Sequence, residues 1–549
     1  MRQNSASPHP SRVCVIGLDG ATFRALKPWC DAGKLPNLQK LIALGASGTL
    51  LSTIPPITAA AWTSFQTGKQ PGQHGIFEFS RYIPGSYDSP VIDGSAIQAK
   101  RLWDLLNEAG KKLIAVNVPM TYPPVPVDGA MVSGLLSPDL EHACYPVTLV
   151  NEIKAVVPDY EFIFPIRSID YLGVQEYVKR LVALAEKRAK LGVHLIQKQW
   201  DFFMLHFQAT DIAQHALWVY IDPAHPGYSQ TSSAERELVL SFYQRLDELL
   251  GQLLAMLDDS VLTIVMSDHG FGPAVDRFNV NEWLYKQGLL KINNVWRKQL
   301  TEMLVTMIQK LDVFKLRRRF LGPRGRAEKL QMGLTQSSLI DWKRTVAFAL
   351  PGSFYARIYF NRVGREMDGI VDEETAVSLA QQMKQNLLAL RHPETGQPVI
   401  KNVYLKHEIY QGNATELLPD ITVEPEEGYM IATELNNSTI VRPVPAFMTG
   451  THLRDGIVIM NGSVIQSGTT LTNAHIVDLL PTILYALNIP IPADLDGKIL
   501  LDAFVDEYKQ AHHATYYEPD IWHHDNMVVN SAEEEKIVEE RLKSLGYLG

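Results

Sequence analysis

Arg12–Gly20 reads RVCVIGLDG. After Arg12 the run is apolar and rich in β-branched residues up to Leu18, which is the pattern of a short strand buried on both faces. Asp19-Gly20 then ends it. A carboxylate at the carboxyl end of a buried parallel strand lies where open α/β sheets place their ligands. A turn aspartate beside its glycine explains the residue equally well. The arrangement recurs twice downstream. Phe202–Phe207 (FFMLHF) is followed by Ala209-Thr-Asp-Ile-Ala-Gln-His215, in which Asp211 and His215 are four apart and face one side of a helical turn. Val261–Met266 (VLTIVM) ends in Ser267-Asp268-His269-Gly270. A carboxylate and an imidazole side by side at a strand's end are hard to explain as packing. The strands therefore predict an α/β fold with a mostly parallel central sheet.

Further elements fill in around these strands. Helices are expected at Pro36–Leu44, Ala99–Ala109, Asp170–Gln199 with Gly192 as its one breaker, Glu235–Leu257, Glu373–Leu390, Ala474–Leu487 and Glu533–Leu545. Strands are expected at Leu113–Val118, Phe354–Phe360, Asn402–Leu405, Asp420–Glu424 and Ile457–Met460. His452 falls in a Gly-flanked loop, Gly450–Gly456, before the last of these, and a loop histidine taken alone is more often incidental than functional. His512-His513 and His523-His524 read as solvated, since no carboxylate spacing supports a metal there.

At 549 residues the chain exceeds one small core. The expected organisation is a disordered stretch over 1–11, an α/β core over 12–290 and 346–505, an inserted cap over 291–345, and a tail over 506–549 with a terminal helix. The cap is basic (Arg317, Arg318, Arg319, Arg324, Arg326) and amphipathic from Leu300 to Phe314. A solvated helix, a substrate-facing lid and a membrane-surface contact all fit it. A net charge of -9 argues against nucleic acid as partner. Cys14, Cys30 and Cys144 are too few and too scattered for a disulfide framework or a cysteine-based zinc site. No apolar run is long enough to span a membrane, and residues 1–11 lack the apolar region of a signal peptide, so a cytoplasmic location is expected.

Between the first two strands lies Ser52–Ile76, STIPPITAAAWTSFQTGKQPGQHGI. Pro55-Pro56 stops any preceding element, and Thr58 opens a helix through Ala61, Trp62 and Phe65. Its hydroxyl has two readings, a helix N-cap or a nucleophile placed where the helix dipole and free N–H groups favour an anion such as phosphate. An unassisted threonine is a poor nucleophile, so the second reading requires metal ligands. Asp19, Asp211, His215, Asp268, His269 and His452 supply them in number. Their mixture of oxygen and nitrogen donors suits two zinc or manganese ions better than magnesium or calcium. Two such ions can clamp both oxygens of an in-line displacement at phosphorus.

At this point the chain resembles a known family. The motifs are GLDGA at Gly17–Ala21, PPITAAAWTSFQTG at Pro55–Gly68, HGIFEF at His74–Phe79, NVPMTYPP at Asn117–Pro124, DIAQH at Asp211–His215, SDHGF at Ser267–Phe271 and GTHLRDG at Gly450–Gly456. In type and order they are similar to those of the alkaline phosphatase superfamily, in its type I phosphodiesterase/nucleotide pyrophosphatase branch. They resemble most its bacterial and archaeal group of predicted phosphohydrolases or phosphomutases. The resemblance implies a three-layer sandwich with an inserted helical cap. It implies one metal on Asp19, Asp268, His269 and the Thr58 oxygen, a second on Asp211, His215 and His452, and a phosphothreonine intermediate at Thr58. The implied substrate is a small-molecule phosphoester, with phosphomutase or phosphomonoesterase activity, or an inactive binding protein on the same fold, as rivals. A sulfatase is excluded, because the C/S-x-P-x-R motif of that branch is absent around Thr58. One departure stands out. Nucleotide pyrophosphatases carry an asparagine after HGI that contacts the phosphoryl group, and counting from Thr58 puts Phe79 there. Either Lys69 or Arg81 takes over that contact, or the substrate differs.

Overall fold

The computed structural model describes residues 10, 12–293, 339–352, 354–435, 439–520 and 532–547. Most of the expected cap, most of residues 1–11 and the pair His523-His524 lie outside the described residues.

Nine strands form the central sheet: β1 (Arg12–Leu18), β2 (Ala46–Leu51), β3 (Leu113–Val118), β4 (Gly129–Ser133), β5 (Cys144–Tyr145), β6 (Phe202–Phe207), β7 (Val261–Met266), β16 (Asp455–Asn461) and β17 (Thr469–His475). Their order is β17-β2-β16-β7-β1-β6-β3-β4-β5. β1 runs parallel to both neighbours, with Cys14 opposite Phe203 on one side and Thr263 on the other. β16 runs antiparallel to β2 and β7. The side-chain alternation of β1 shows why the sheet is covered twice. Cys14, Ile16 and Leu18 enter one apolar core with the helices Pro36–Leu44, Ile169–Leu195, Ala209–Ile221 and Ser233–Leu254. Val13 and Val15 enter another with Thr58–Thr67, Leu102–Glu108 and Leu479–Ala486. Helices on both faces of a mostly parallel sheet make this an α/β fold of three layers.

Among the described residues two four-stranded sheets accompany it, besides the short pairing of Ile491–Pro492 with Tyr516–Tyr517. β9 (Ala347–Leu350), β10 (Ala356–Phe360), β11 (Ile400–Leu405) and β12 (Ile421–Pro425) form an antiparallel sheet in the order β11-β12-β10-β9. β8 (Gly270–Asn279) pairs with β13 (Gly428–Ala432), β14 (Val441–Pro443) and β15 (Gly450–Leu453). Where the expected cap leaves the core, its described ends meet, with Ile292 bridging Ile340.

Several local expectations are corrected. The long helix is broken at Gly173, where φ is +72°, and not at Gly192. Gly192 stays helical and lies against the sheet, where a Cβ would stand 2.5 Å from the Leu205 side chain, so its role is close approach. Ala474 and His475 belong to β17, held by parallel pairing with β2, and the helix starts only at Leu479. His512 is buried and donates to the Tyr485 carbonyl. His452 lies on β15, opposite Phe271 of β8, and not in a loop. Among the described residues no helix is long and apolar enough to cross a membrane.

Candidate active site

The site assembles at the carboxyl ends of β1, β6 and β7, which are neighbours in the sheet. Asp19 follows β1 directly, with its N–H donating to the Phe207 carbonyl at the end of β6. Asp211 and His215 lie on the helix Ala209–Ile221 that leaves β6, and Asp268 and His269 follow β7. β15 brings in His452 from the side. The helix Thr58–Thr67 points its first turn at the same place, and Thr58, Asp19, Asp211, His215, Asp268 and His269 have no exposed surface. Close approach of that helix to β1 depends on Gly17, where a Cβ would stand 2.7 Å from the Trp62 ring. The other hydroxyls of the helix are engaged elsewhere. Thr63 and Thr67 donate back to the carbonyls of Ala59 and Thr63, and Ser64 bonds His74.

The seven residues form two adjoining clusters. In the first, His269 Nε2 lies 3.3 Å from Asp268 Oδ2, 3.7 Å from Asp19 Oδ1 and 3.3 Å from Thr58 Oγ1. In the second, Asp211 Oδ1 lies 3.4 Å from His215 Nε2 and 3.2 Å from His452 Nε2, and the two imidazole nitrogens are 3.0 Å apart. His269 belongs to both, since Asp211, His269 and His452 also come within 4.8 Å of one another.

These residues fit divalent cations on three grounds. Each of the three imidazoles has Nδ1 on a backbone carbonyl, His215 on Gly450, His269 on Gly270 and His452 on Pro56. Nδ1 must be the donor there, which leaves Nε2 of a neutral ring as a lone pair facing the cluster, the arrangement of metal-ligating histidines. Second, Asp19 Oδ1 and Asp268 Oδ2 are buried without a hydrogen-bond partner. Such atoms are costly unless something positive satisfies them. Third, atoms bound at about 2.0 Å to one tetrahedral ion lie about 3.3 Å apart, close to the separations seen here.

Electrostatics separates the clusters. Burial pushes the Asp19 carboxyl well above the usual range, and the charges of Asp268 and Asp211 push the same way. Asp268 is raised by burial too, with Asp211 adding to it and the Gly20 N–H working against it. Burial also opposes the charge on Asp211, but His215 and His452 outweigh it and hold its carboxyl well below the ordinary value. His452 is lowered to about 4 and His269 is lowered as well, in both cases chiefly by burial, so both rings are neutral at neutral pH.

Three supporting residues went unread in the sequence. His206 Nε2 donates to Asp19 Oδ2 over 2.8 Å, and Trp62 Nε1 donates to the same oxygen over 3.0 Å, which aims Oδ1 at His269. His206 had a signal, being the one polar side chain in FFMLHF. Tyr547 had none. Its Oη lies 2.8 Å from Thr58 Oγ1. Of the three side chains considered for the phosphoryl contact, Phe79 packs on the Tyr547 ring at 4.7 Å. Lys69 pairs with Asp494 just beyond the far end of the Thr58–Thr67 helix, about 14 Å along the axis at 1.5 Å per residue. Arg81 donates to the Ala96 carbonyl.

A three-layer α/β sandwich with a hydroxyl, carboxylates and imidazoles gathered at its strand ends is the framework of the alkaline phosphatase superfamily. Within it, this chain belongs to the type I phosphodiesterase/nucleotide pyrophosphatase family, whose sequence pattern matches residues 13–452. With the family comes phosphoric ester hydrolysis. Among solved structures, phosphonoacetate hydrolase from Sinorhizobium meliloti 1021 in complex with phosphonoformate is similar in fold, with a TM-score of 0.51 at 16% identity over 88% of this chain and 96% of that one. Human ectonucleotide pyrophosphatase/phosphodiesterase 5 gives a TM-score of 0.48 at 14% identity over 87% and 95%. No curated protein matches the chain in sequence.

Proposed function

We propose that the chain is a metal-dependent phosphoric ester hydrolase that works by two displacements, with Thr58 as the nucleophile. The observation that carries this reading is the place of Thr58. Its oxygen lies at the first turn of a helix and 3.3 Å from His269 Nε2, where the two Asp/His clusters adjoin. Zinc or manganese ions would be held by Asp19, Asp268, His269 and Thr58 on one side and by Asp211, His215 and His452 on the other. When bound, they would lower the pKa of the threonine hydroxyl and neutralise charge on the phosphoryl oxygens.

In the first displacement Thr58 Oγ1 forms a bond to phosphorus as the ester oxygen leaves with a proton, and phosphothreonine results. In the second, water adds to that phosphorus, the Oγ1–phosphorus bond breaks, and the threonine regains its proton. The free N–H groups of the helix's first turn point toward the phosphoryl group and favour its negative charge. His206 and Trp62 keep Asp19 fixed throughout. The substrate is a small phosphoester. Release of an alcohol and of phosphate or a phosphomonoester marks a hydrolase, and an isomer as product marks a mutase.

The test is an acid quench of the zinc- or manganese-loaded protein during turnover of p-nitrophenyl phosphate and bis(p-nitrophenyl) phosphate. Phosphate is expected on the peptide holding Thr58. Thr58→Ala is expected to keep its metal and lose turnover by roughly three orders of magnitude or more. Phosphate on Thr63 or Ser64, or normal turnover by Thr58→Ala, would refute the assignment.

A further inference from the structure

The helix Ala532–Ser544 lies beyond the residues that match the family, yet it is docked on the core. Val538, Leu542, Leu545 and Tyr547 are buried in the larger apolar cluster. The Arg541 guanidinium donates to the carbonyls of Leu135, Ser137 and Pro138. After the helix the chain turns at Gly546, whose φ is +81° and where a Cβ would stand 2.7 Å from the Met448 side chain. That turn drives Tyr547 into the site. Its ring sits 4.7 Å from Phe79 and 6.0 Å from Phe354, while the phenol oxygen lies 2.8 Å from Thr58 Oγ1.

With Tyr547 in place Thr58 has 0% of its surface exposed. The oxygens of a phosphoryl group bonded to Oγ1 stand at nearly the distance the phenol oxygen now holds. Phenol and phosphoryl group therefore compete for the same space. The docked face is a narrow apolar stripe, and Glu533, Glu535 and Glu540 on the same helix are exposed, which suits reversible contact.

We propose that Ala532–Tyr547 is an intrinsic plug: Tyr547 occupies the phosphoryl position on the nucleophile, and a phosphoester gains Thr58 only when the plug withdraws. The inference rests on Thr58 as nucleophile. Plug docking and phosphate binding then exclude one another, so weakening one must strengthen the other.

The experiment uses the full-length, metal-loaded protein and three variants, Tyr547→Ala, Arg541→Ala and Tyr547→Phe. Folding is checked by circular dichroism, inorganic phosphate binding by calorimetry, and kcat/KM with bis(p-nitrophenyl) phosphate. Tyr547→Ala and Arg541→Ala should each bind phosphate at least roughly fivefold tighter than wild type and raise kcat/KM by a similar factor, with Arg541→Ala acting from outside the site. Tyr547→Ala decides alone if Arg541→Ala fails to fold. Unchanged or weaker phosphate binding in the folded variants overturns the plug. So does a tenfold or greater loss of kcat in Tyr547→Phe, which would make the phenol a catalytic hydrogen-bond donor. Tighter phosphate binding with no ester turned over by any form would keep the plug and remove the hydrolase reading.

Discussion

Asp211 has two imidazoles within 3.4 Å of one oxygen, whereas Asp268 has only His269 that close and Asp19 has His206 on Oδ2 with His269 at 3.7 Å from Oδ1; Asp19 Oδ1 and Asp268 Oδ2 keep no hydrogen-bond partner. In the second cluster His215 and His452 outweigh burial and hold the Asp211 carboxyl low. In the first, burial pushes both carboxyls up, with the charges of Asp268 and Asp211 adding to it on Asp19 and that of Asp211 on Asp268. The two clusters adjoin and are built from similar residues, so the difference comes from partners and not from residue type. On the proposed reading, a bound cation would relieve the first cluster more than the second, because the first holds the two unpartnered carboxylate oxygens.

The comparison can be broken first through catalysis. If both clusters serve one reaction, Asp268→Asn and His452→Ala should each lower kcat by roughly a hundredfold or more in steady-state assays with metal present. Full activity in either variant would show that only one cluster does the chemistry. The next effect concerns support. His206→Phe leaves Asp19 with Trp62 as its remaining side-chain donor, and should cost roughly 10- to 100-fold in activity or metal affinity, measured by kinetics and metal titration. A variant indistinguishable from wild type would mean that Asp19 is positioned by packing alone.

The smallest effect is on stability of the metal-free protein, and here the clusters should move in opposite directions. Asp19 has a folded-state pKa raised above 3.8, so its favourable contribution is present below that value and is lost as pH rises. Asp211 has a folded-state pKa below 3.8, so its contribution is present above that value and is lost as pH falls. In strong chelator at pH 8, Asp19→Asn should therefore melt higher than wild type and Asp211→Asn lower, each by roughly 2 °C by calorimetry. Near pH 4 the advantage of Asp19→Asn should vanish. Added zinc or manganese should stabilise wild type more than Asp19→Asn, because only an ion bound to the native state shifts its melting. Movement of both variants in the same direction would show that the charge imbalance between the clusters is not real.

Much of this site was written in local patterns. A buried strand announces itself by an apolar run, and its end by the first polar residues and glycine, so Asp19, Asp211, His215, Asp268 and His269 could be read where they stand. Thr58 could be separated from Thr63 and Thr67, because a proline pair fixes where its helix begins and hydroxyls inside a helix turn back to its carbonyls. The motifs that carry the family resemblance are local as well. Other features had no local signal. The strand β15 that carries His452 exists only by pairing with β8, and its Gly450-Thr451 start gives no strand pattern. The extent of β17 depends on β2, more than four hundred residues earlier in the chain. Gly192 looked like a helix breaker until Leu205 showed what it makes room for. The second imidazole beside Asp211, the unpartnered oxygens of Asp19 and Asp268, and the phenol of Tyr547 on Thr58 all arise from groups brought together by sheet order and core packing. The sequence by itself determined which residues could do chemistry, because strand ends and helix starts follow from the pattern of neighbours along the chain. Tertiary structure alone decided which of them have imidazole partners, which keep an unpartnered oxygen and which are covered, because charge, solvation and access depend on neighbours in space.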